Sequence, residues 1–201
     1  MESRFEQQYL RELLLQADYA IVSVQQANAV LHTGPQPLFF RELHAFLSHA
    51  AAISRLLWPP RKRGRPAARA AHLRKVLSVG NGHALERRDL RDHLEHFDER
   101  LDIWVQETSH GAVIDMNVGP VALIVGGPAV GVGDFIRNFD PQTKTFTFRG
   151  DAFNVQELVD AVGSLRAAAA RKIQSLMQEQ LQSSAKDAAE AEGPSQNDTR
   201  D

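Results

Sequence analysis

Apolar residues recur every three or four positions along most of this chain, a spacing that places them on one face of an α-helix. After Phe5, for example, the apolar stripe runs through Leu10, Leu13 and Ala17. Proline and glycine mark where such stripes stop. The pattern predicts helices at about residues 4–31, 38–58, 66–78, 83–107 and 154–182.

The period changes between residues 112 and 150, where Gly, Val, Ile and Phe alternate with turn residues. Asp140 and Pro141 begin a turn between two short strand-like segments, so we expect a β-hairpin at about 133–149. The glycines from 126 to 133 precede no Gly-Lys-Ser/Thr, so they do not form a phosphate-binding loop. The predicted fold is mainly α: an antiparallel helical bundle with a small β-hairpin, in an insertion at about 112–150, before the last helix.

The last helix has a clear start but no clear end. Asn154 with Glu157 resembles a capping box, and Phe153 with Leu158 occupies the positions of a hydrophobic staple. Beyond about Ser183 the apolar period is lost, and acidic and small residues follow. We therefore expect one domain over residues 1–183 and a disordered acidic tail over residues 184–201.

The composition excludes several classes of function. The chain is 43% hydrophobic and 24% charged, as in an ordinary globular protein. It contains no cysteine, which excludes disulfides, thiol nucleophiles and cysteine-bound metal centres. The first residues lack the pattern of a signal peptide, and the longest apolar run, from Val121 to Gly133, is broken by Gly and Pro. We expect a cytoplasmic protein with no membrane association.

A basic segment lies between residues 61 and 75 and contains no acidic residue. Such a cluster is typical of phosphate binding, and Arg61, Lys62, Arg63 and Arg65 are the candidate nucleic-acid-binding residues. A solvated basic loop explains it equally well, because no aromatic residue is interleaved with the arginines to stack on bases. Its basic residues are Arg61, Lys62, Arg63, Arg65, Arg69, Arg74 and Lys75.

The predicted helix at 83–107 carries more charge than one solvent-exposed face needs. Its apolar stripe is Leu90, Leu94, Phe97, Leu101 and Trp104. On the opposite side, Arg91 lies one turn before Glu95, and Asp92 lies one turn before His96. A guanidinium and an imidazole beside a carboxylate are thus expected on one charged face.

The residues Arg91-Asp92-His93-Leu94-Glu95-His96 resemble the motif of HEPN domains, in which an arginine is followed by a polar residue, three further residues and a histidine. HEPN domains are helical proteins of prokaryotic toxin–antitoxin and defence systems. The resemblance implies a homodimer whose two motifs meet at one cleft and cut RNA without metal or cofactor. It also implies RNA and a cognate antitoxin or other protein as partners.

In that reading Arg91 stabilises charge on the phosphoryl oxygens, and His96, steered by Asp92, moves the proton. Two features depart from the family. Asp98 stands where family members paired with nucleotidyltransferase antitoxins have a tyrosine, so modification of that tyrosine is not expected. The predicted hairpin is not part of the plain four-helix form.

Two other functions fit the same residues. The charged face suits a non-catalytic helical dimer, an interaction or antitoxin-like module, in which these charges form subunit contacts. Alternatively, His93 and His96, with Asp89 or Asp92 nearby, suit a metal-binding helical bundle. His49 flanks the apolar stripe of the second helix, where a structural or a functional role remains open.

Overall fold

The computed structural model describes residues 3–87, 89, 92, 96–107, 114–120 and 134–191. Within these residues the chain is mainly helical and has a small four-stranded sheet, so the predicted fold class is confirmed at this level. A short 3-10 helix, Ala84–Glu86, follows the third helix. The α-helices are α1 (Ser3–Val30), α2 (Gln36–Leu57), α3 (Gly64–Val76), α4 (Phe97–Glu107) and α5 (Val155–Ala191).

The core forms where α1 packs against α2 and α5. The side chains of Leu10, Leu13 and Ala17 on α1 are fully buried, as their spacing predicts. They contribute to one continuous apolar cluster with Phe46 and Ile53 of α2. Because burial of one large apolar side chain is worth about 1.5–3 kcal/mol, this cluster is the main stabilising feature of the helical part.

The turn between α1 and α2 has a specific chemical cause. Pro35, with φ −63° and ψ 135°, is the extended residue that precedes α2, and Trp58 ends the helix before two prolines. At Gly34 an added Cβ atom would lie 2.7 Å from the Cβ atom of Val30. Glycine is therefore required where the chain leaves α1 and turns back along it.

The sheet has the strand order β1 (Asn117–Val118), β2 (Arg137–Asp140), β3 (Thr145–Phe148) and β4 (Asp151–Asn154). β1 is parallel to β2, whereas β3 is antiparallel to both β2 and β4. Phe139 pairs with Phe146, and Phe146 pairs with Phe153, so three buried rings form one row across the sheet. The Phe39 ring of α2 lies 4.9 Å from that of Phe139, which joins the sheet to the helices.

β2 and β3 lie in the region where the sequence predicts a hairpin, and β1 and β4 extend the sheet beyond it. Asn154 ends β4 and also accepts a hydrogen bond through Oδ1 from the Glu157 N–H at 3.1 Å. It therefore caps α5 as the sequence predicts, although the preceding residues form a strand instead of a loop.

Two helix bounds differ from the prediction. The segment from His83 to Arg87 holds a 3-10 turn, in which His83 Nδ1 accepts a hydrogen bond from the Leu85 N–H at 3.3 Å. This local bond competes with the α-helical pattern that the sequence suggests. α5 continues to Ala191, beyond the expected end near residue 182, because alanine-rich sequence favours helix even where no core lies beside it.

No helix in the described ranges is long and apolar enough to cross a membrane.

Candidate functional site: a basic cleft and the predicted motif

Of the predicted motif residues, Asp92 and His96 are described, whereas Arg91 and His93 lie outside the described residues. The His96 N–H donates to the Asp92 carbonyl oxygen at 3.1 Å, so one turn of chain separates the two residues. The His96 side chain is 53% exposed, and its Nδ1 lies 3.3 Å from Glu99 Oε2. The carboxylate that contacts the imidazole is therefore Glu99 instead of the expected Asp92.

Because both side chains are exposed, solvent screens their interaction, which contributes little to stability. The relation of His96 to Arg91 stays a prediction, as does a cleft between two subunits.

The predicted nucleic-acid-binding residues line or flank an open cleft. Arg61, Lys62, Arg63 and Arg65 are all exposed, in the link after α2 and in the first turn of α3. The first two of them line a cleft of about 260 Å³. The described residues that line it are Trp58, Pro59, Arg61, Lys62, Ala67, Ala70 and Arg74.

Trp58 supplies the aromatic surface that the sequence does not predict for this segment. Its indole stacks on the His83 imidazole, with 5.3 Å between ring centroids and 29° between planes. The Arg74 guanidinium lies 6.0 Å from the Trp58 ring centroid and donates to the Leu57 carbonyl oxygen. The ring is thus held between α2, α3 and the turn at His83.

No aromatic residue lies within residues 61–75 of the sequence. In the folded protein, however, Trp58 lies beside this segment. Trp58 precedes the basic segment by three positions and lies at the end of the predicted helix at 38–58. The sequence feature that could have identified Trp58 is its position directly before Pro59 and Pro60. The helix must end there, which exposes one side of its last residue.

The cleft has a positive lining in the described part of the chain. Arg61, Lys62 and Arg74 contribute cationic groups, and no carboxylate of a described residue lines the cleft. Burial lowers the pKa of His83 below its ordinary value of 6.5, against a smaller opposing effect of the Glu86 carboxylate. His83 is therefore mainly neutral at pH 7, so the positive charge at this site comes from the guanidinium and ammonium groups.

A second polar cluster joins the three helices α1, α3 and α5. The Glu6 carboxylate on α1 is nearly buried, and its Oε2 atom lies 2.5 Å from Nε2 of His72 on α3. Its Oε1 atom lies 3.9 Å from Nζ of Lys172 on α5. Glu6 and His72 are 66 positions apart in the sequence, so no local motif indicates the cluster.

His49 has a structural environment. Its Nδ1 lies 2.8 Å from Gln16 Oε1, and its ring centroid lies 5.3 Å from that of Tyr19. Burial lowers its pKa below the ordinary value of 6.5. The described contacts therefore favour a role in packing α2 against α1.

The residues that the structure describes contain no group of three or more His, Asp or Glu side chains placed to hold a metal ion. His93, one of the two histidines in the metal-binding alternative, lies outside those residues. The alternative therefore gains no support from the described geometry.

Comparison with protein-family models, with curated proteins and with solved structures found no match to this chain. The similarity to HEPN domains accordingly rests on the motif residues at 91–96 alone. What the structure adds is the basic cleft, which is independent of that motif.

Proposed function

We propose that this protein binds single-stranded RNA in the cleft around Trp58 and, as a HEPN-like homodimer with an antiparallel helical bundle, cleaves it without metal. The observation that carries the binding proposal is the combination of Arg61, Lys62 and an aromatic ring in one open cleft. Single-stranded nucleic acids are commonly bound by such a combination, because cations hold the backbone while bases stack on aromatic rings.

The geometry favours single strands over duplexes. In a duplex the base faces are already stacked on each other, so Trp58 has no base face to contact. Arg63 and Arg65 are exposed next to the cleft and would attract the neighbouring phosphates.

The cleavage proposal assigns roles to Arg91, Asp92 and His96. His96 would take the proton of the 2′-hydroxyl or give one to the leaving 5′-oxygen, and Arg91 would stabilise the charged phosphoryl oxygens. Support for His96 is its exposure, which leaves the ring accessible to RNA, and the contact of its Nδ1 atom with Glu99 Oε2 at 3.3 Å.

Binding is tested by titrating the protein with a short unlabelled oligouridine while tryptophan emission is recorded. Stacking on Trp58 should change the emission, and the change should be lost in Trp58→Phe, which keeps buried Trp104. Double-stranded RNA serves as the competing ligand. Equal responses of the wild type and Trp58→Phe, or tighter binding of the duplex, would overturn the binding proposal.

Cleavage is tested on mixed single-stranded RNAs in excess chelator, with Arg91→Ala and His96→Ala beside the wild type. Loss of one proton-transfer group typically lowers a rate by about 10²- to 10⁴-fold, so His96→Ala should fall by that order while its circular dichroism spectrum is unchanged. Equal cleavage by all three proteins would show that the activity does not come from these residues.

A non-catalytic interaction module is the second candidate, and the His96–Glu99 contact is the observation that favours it. An imidazole with a carboxylate one turn away is also an ordinary solvated helix pair. RNA binding without cleavage, together with a stable dimer in light scattering, would support this candidate over the nuclease.

A further inference from the structure

Helix α3 separates the cleft around Trp58 from a second groove. This groove has a volume of about 310 Å³ and lies between the C-terminal end of α3 and α5. Arg74 lines the cleft, the next residue, Lys75, is exposed, and Val76 lines the groove. Successive side chains of a helix are about 100° apart, so Arg74 and Val76 lie on opposite sides of α3. The width of one helix, roughly 10–12 Å, therefore separates the two sites.

The groove has a positive lining. The described residues that line it are Val76, Leu77, Ser78, Ala168, Arg171 and Lys172, and none of them carries a carboxylate. Nζ of Lys172 lies 3.9 Å from Glu6 Oε1, so this carboxylate offsets part of the Lys172 charge. Arg171 is exposed, as is Lys75 at the edge of the groove. Lys75 and Arg171 are therefore the cations most accessible to an anionic ligand.

The backbone at the end of α3 reduces the repulsion that a helix C-terminus exerts on an anion. The N–H group of Val79 donates to the Arg74 carbonyl oxygen at 2.8 Å, and that of Ser78 donates to the Lys75 carbonyl oxygen at 3.2 Å. Ser78 has φ 55°, the left-handed conformation that completes this type of helix end. Two of the carbonyl groups that carry partial negative charge are thus already hydrogen-bonded.

The surface of α3 between the two sites allows a strand of nucleic acid to cross it. Its exposed residues recur at helical spacing and include Ala68, Ala71, Lys75 and Ser78. The two alanines extend little from the helix, so another chain is able to approach its backbone closely. α3 contains no acidic residue that would repel phosphate.

We propose that the groove between α3 and α5 is a second phosphate-binding subsite for the single-stranded RNA bound at Trp58, and that the strand crosses α3 at Lys75 to reach Arg171. This subsite rests on the proposed function in one respect, namely that single-stranded RNA occupies the cleft around Trp58. Its role is binding alone, so it adds no group to the cleavage chemistry.

The separation of the two sites sets a minimum length for the RNA. A stacked strand advances about 3.4 Å per nucleotide, and an extended strand advances further. Crossing roughly 10–12 Å therefore takes about two to four nucleotides beyond the one on Trp58. A dinucleotide is too short to contact both sites, whereas an octanucleotide is long enough.

The test measures binding of the uridine dinucleotide and of the uridine octanucleotide to the full-length protein by tryptophan emission. The wild type is compared with the double variant Lys75→Gln/Arg171→Gln, in which both replaced side chains are exposed and the fold should persist. We expect Kd of the octanucleotide to rise by about 10- to 100-fold in the variant. The slope of log K against log salt should fall by about 1.4, which corresponds to two lost phosphate contacts. Kd of the dinucleotide should not change.

Arg11→Gln is the matched control, because Arg11 is exposed on α1 and lines neither the cleft nor the groove. It should match the wild type with both ligands, and an equal loss there would replace the subsite with general charge attraction. An unchanged octanucleotide Kd in the double variant, or an equal loss for the dinucleotide, would overturn the subsite while binding at Trp58 stands. A wild type that binds neither ligand would overturn the subsite and the binding proposal together.

Discussion

The Trp58 indole and the His83 imidazole stack at 5.3 Å although 25 positions separate them in the chain. The contact joins the end of α2 to the turn before the short 3-10 helix. It also places the titratable His83 ring against Trp58, which lines the basic cleft. The protonation state of His83 should therefore change the fluorescence emission of Trp58.

This contact predicts a pH-dependent change in tryptophan emission. Burial lowers the pKa of His83 below 6.5 in the folded protein, so the neutral ring is favoured and its protonation occurs at a more acidic pH than in a peptide. The emission of the wild type should change as the pH falls below about 6.5, and His83→Gln should abolish that transition.

The direction of the His83 pKa shift also determines how the stability of the protein depends on pH. Because the folded state binds the His83 proton less readily than the unfolded state, this residue's contribution to the free energy of unfolding is present above the unfolded pKa and is lost as pH falls. Urea unfolding at two pH values measures it, and Trp58→Phe assigns the optical signal to Trp58. Greater stability at the acidic pH, attributable to His83, would contradict the prediction.

Replacement of Arg61 and Lys62 by alanine should weaken RNA binding and flatten its salt dependence. Each lost phosphate contact lowers the slope of log K against log salt by about 0.7 for a single strand, so the double variant should lose about 1.4. Titrations at several salt concentrations measure the slope. Arg11→Ala is the control, since Arg11 is exposed on α1 and does not line the cleft; an equal effect there would indicate general charge attraction instead of a site.

Replacement of Ser54 by alanine should be neutral or stabilising. The Ser54 hydroxyl oxygen on α2 is buried and has no hydrogen-bond partner among the described residues, and a buried unsatisfied polar group costs about 1–3 kcal/mol. Alanine removes that cost and leaves only a very small cavity. Thermal or urea unfolding checks the result, and a loss of more than about 1 kcal/mol would show that Ser54 makes a stabilising contact.

Removal of residues 184–201 should change the free energy of unfolding by less than about 0.5 kcal/mol. α5 continues through this region to Ala191, but the side chains from Glu179 to Asp187 are all exposed, so they bury no apolar area against the core. Melting curves of the shortened and full-length chains decide the matter. A fall of many degrees would mean that the end of α5 packs on a surface that its exposure does not indicate.

The sequence predicts the helices well where a single stripe faces the core, as for Leu10, Leu13 and Ala17 on α1. Periodicity reports such contacts because each residue's burial depends on its position around its own helix. It predicts less for His83, where a side-chain hydrogen bond to the Leu85 N–H replaces the expected helical turn.

The Trp58–His83 and Glu6–His72 contacts illustrate why functional sites are harder to predict from sequence than helices. Trp58 meets His83, and Glu6 meets His72, only after the chain has folded. Neither pair has a fixed spacing that a motif could record, since the distance in sequence depends on the lengths of the intervening loops. The motif at 91–96, by contrast, is visible in the sequence, and its function stays a prediction.

Asn154 has a consequence for how the two parts of the protein are held together. Because it is the last residue of β4 and the cap of α5, the strand passes into the helix with no linker between them. The pairing of β4 with β3 therefore determines how α5 is rotated about its own axis, and thus which of its side chains face the core. One residue inserted after Asn154 would turn α5 by about 100° and advance it by about 1.5 Å, which would carry Lys172 away from Glu6 while every residue of the sheet stayed in place.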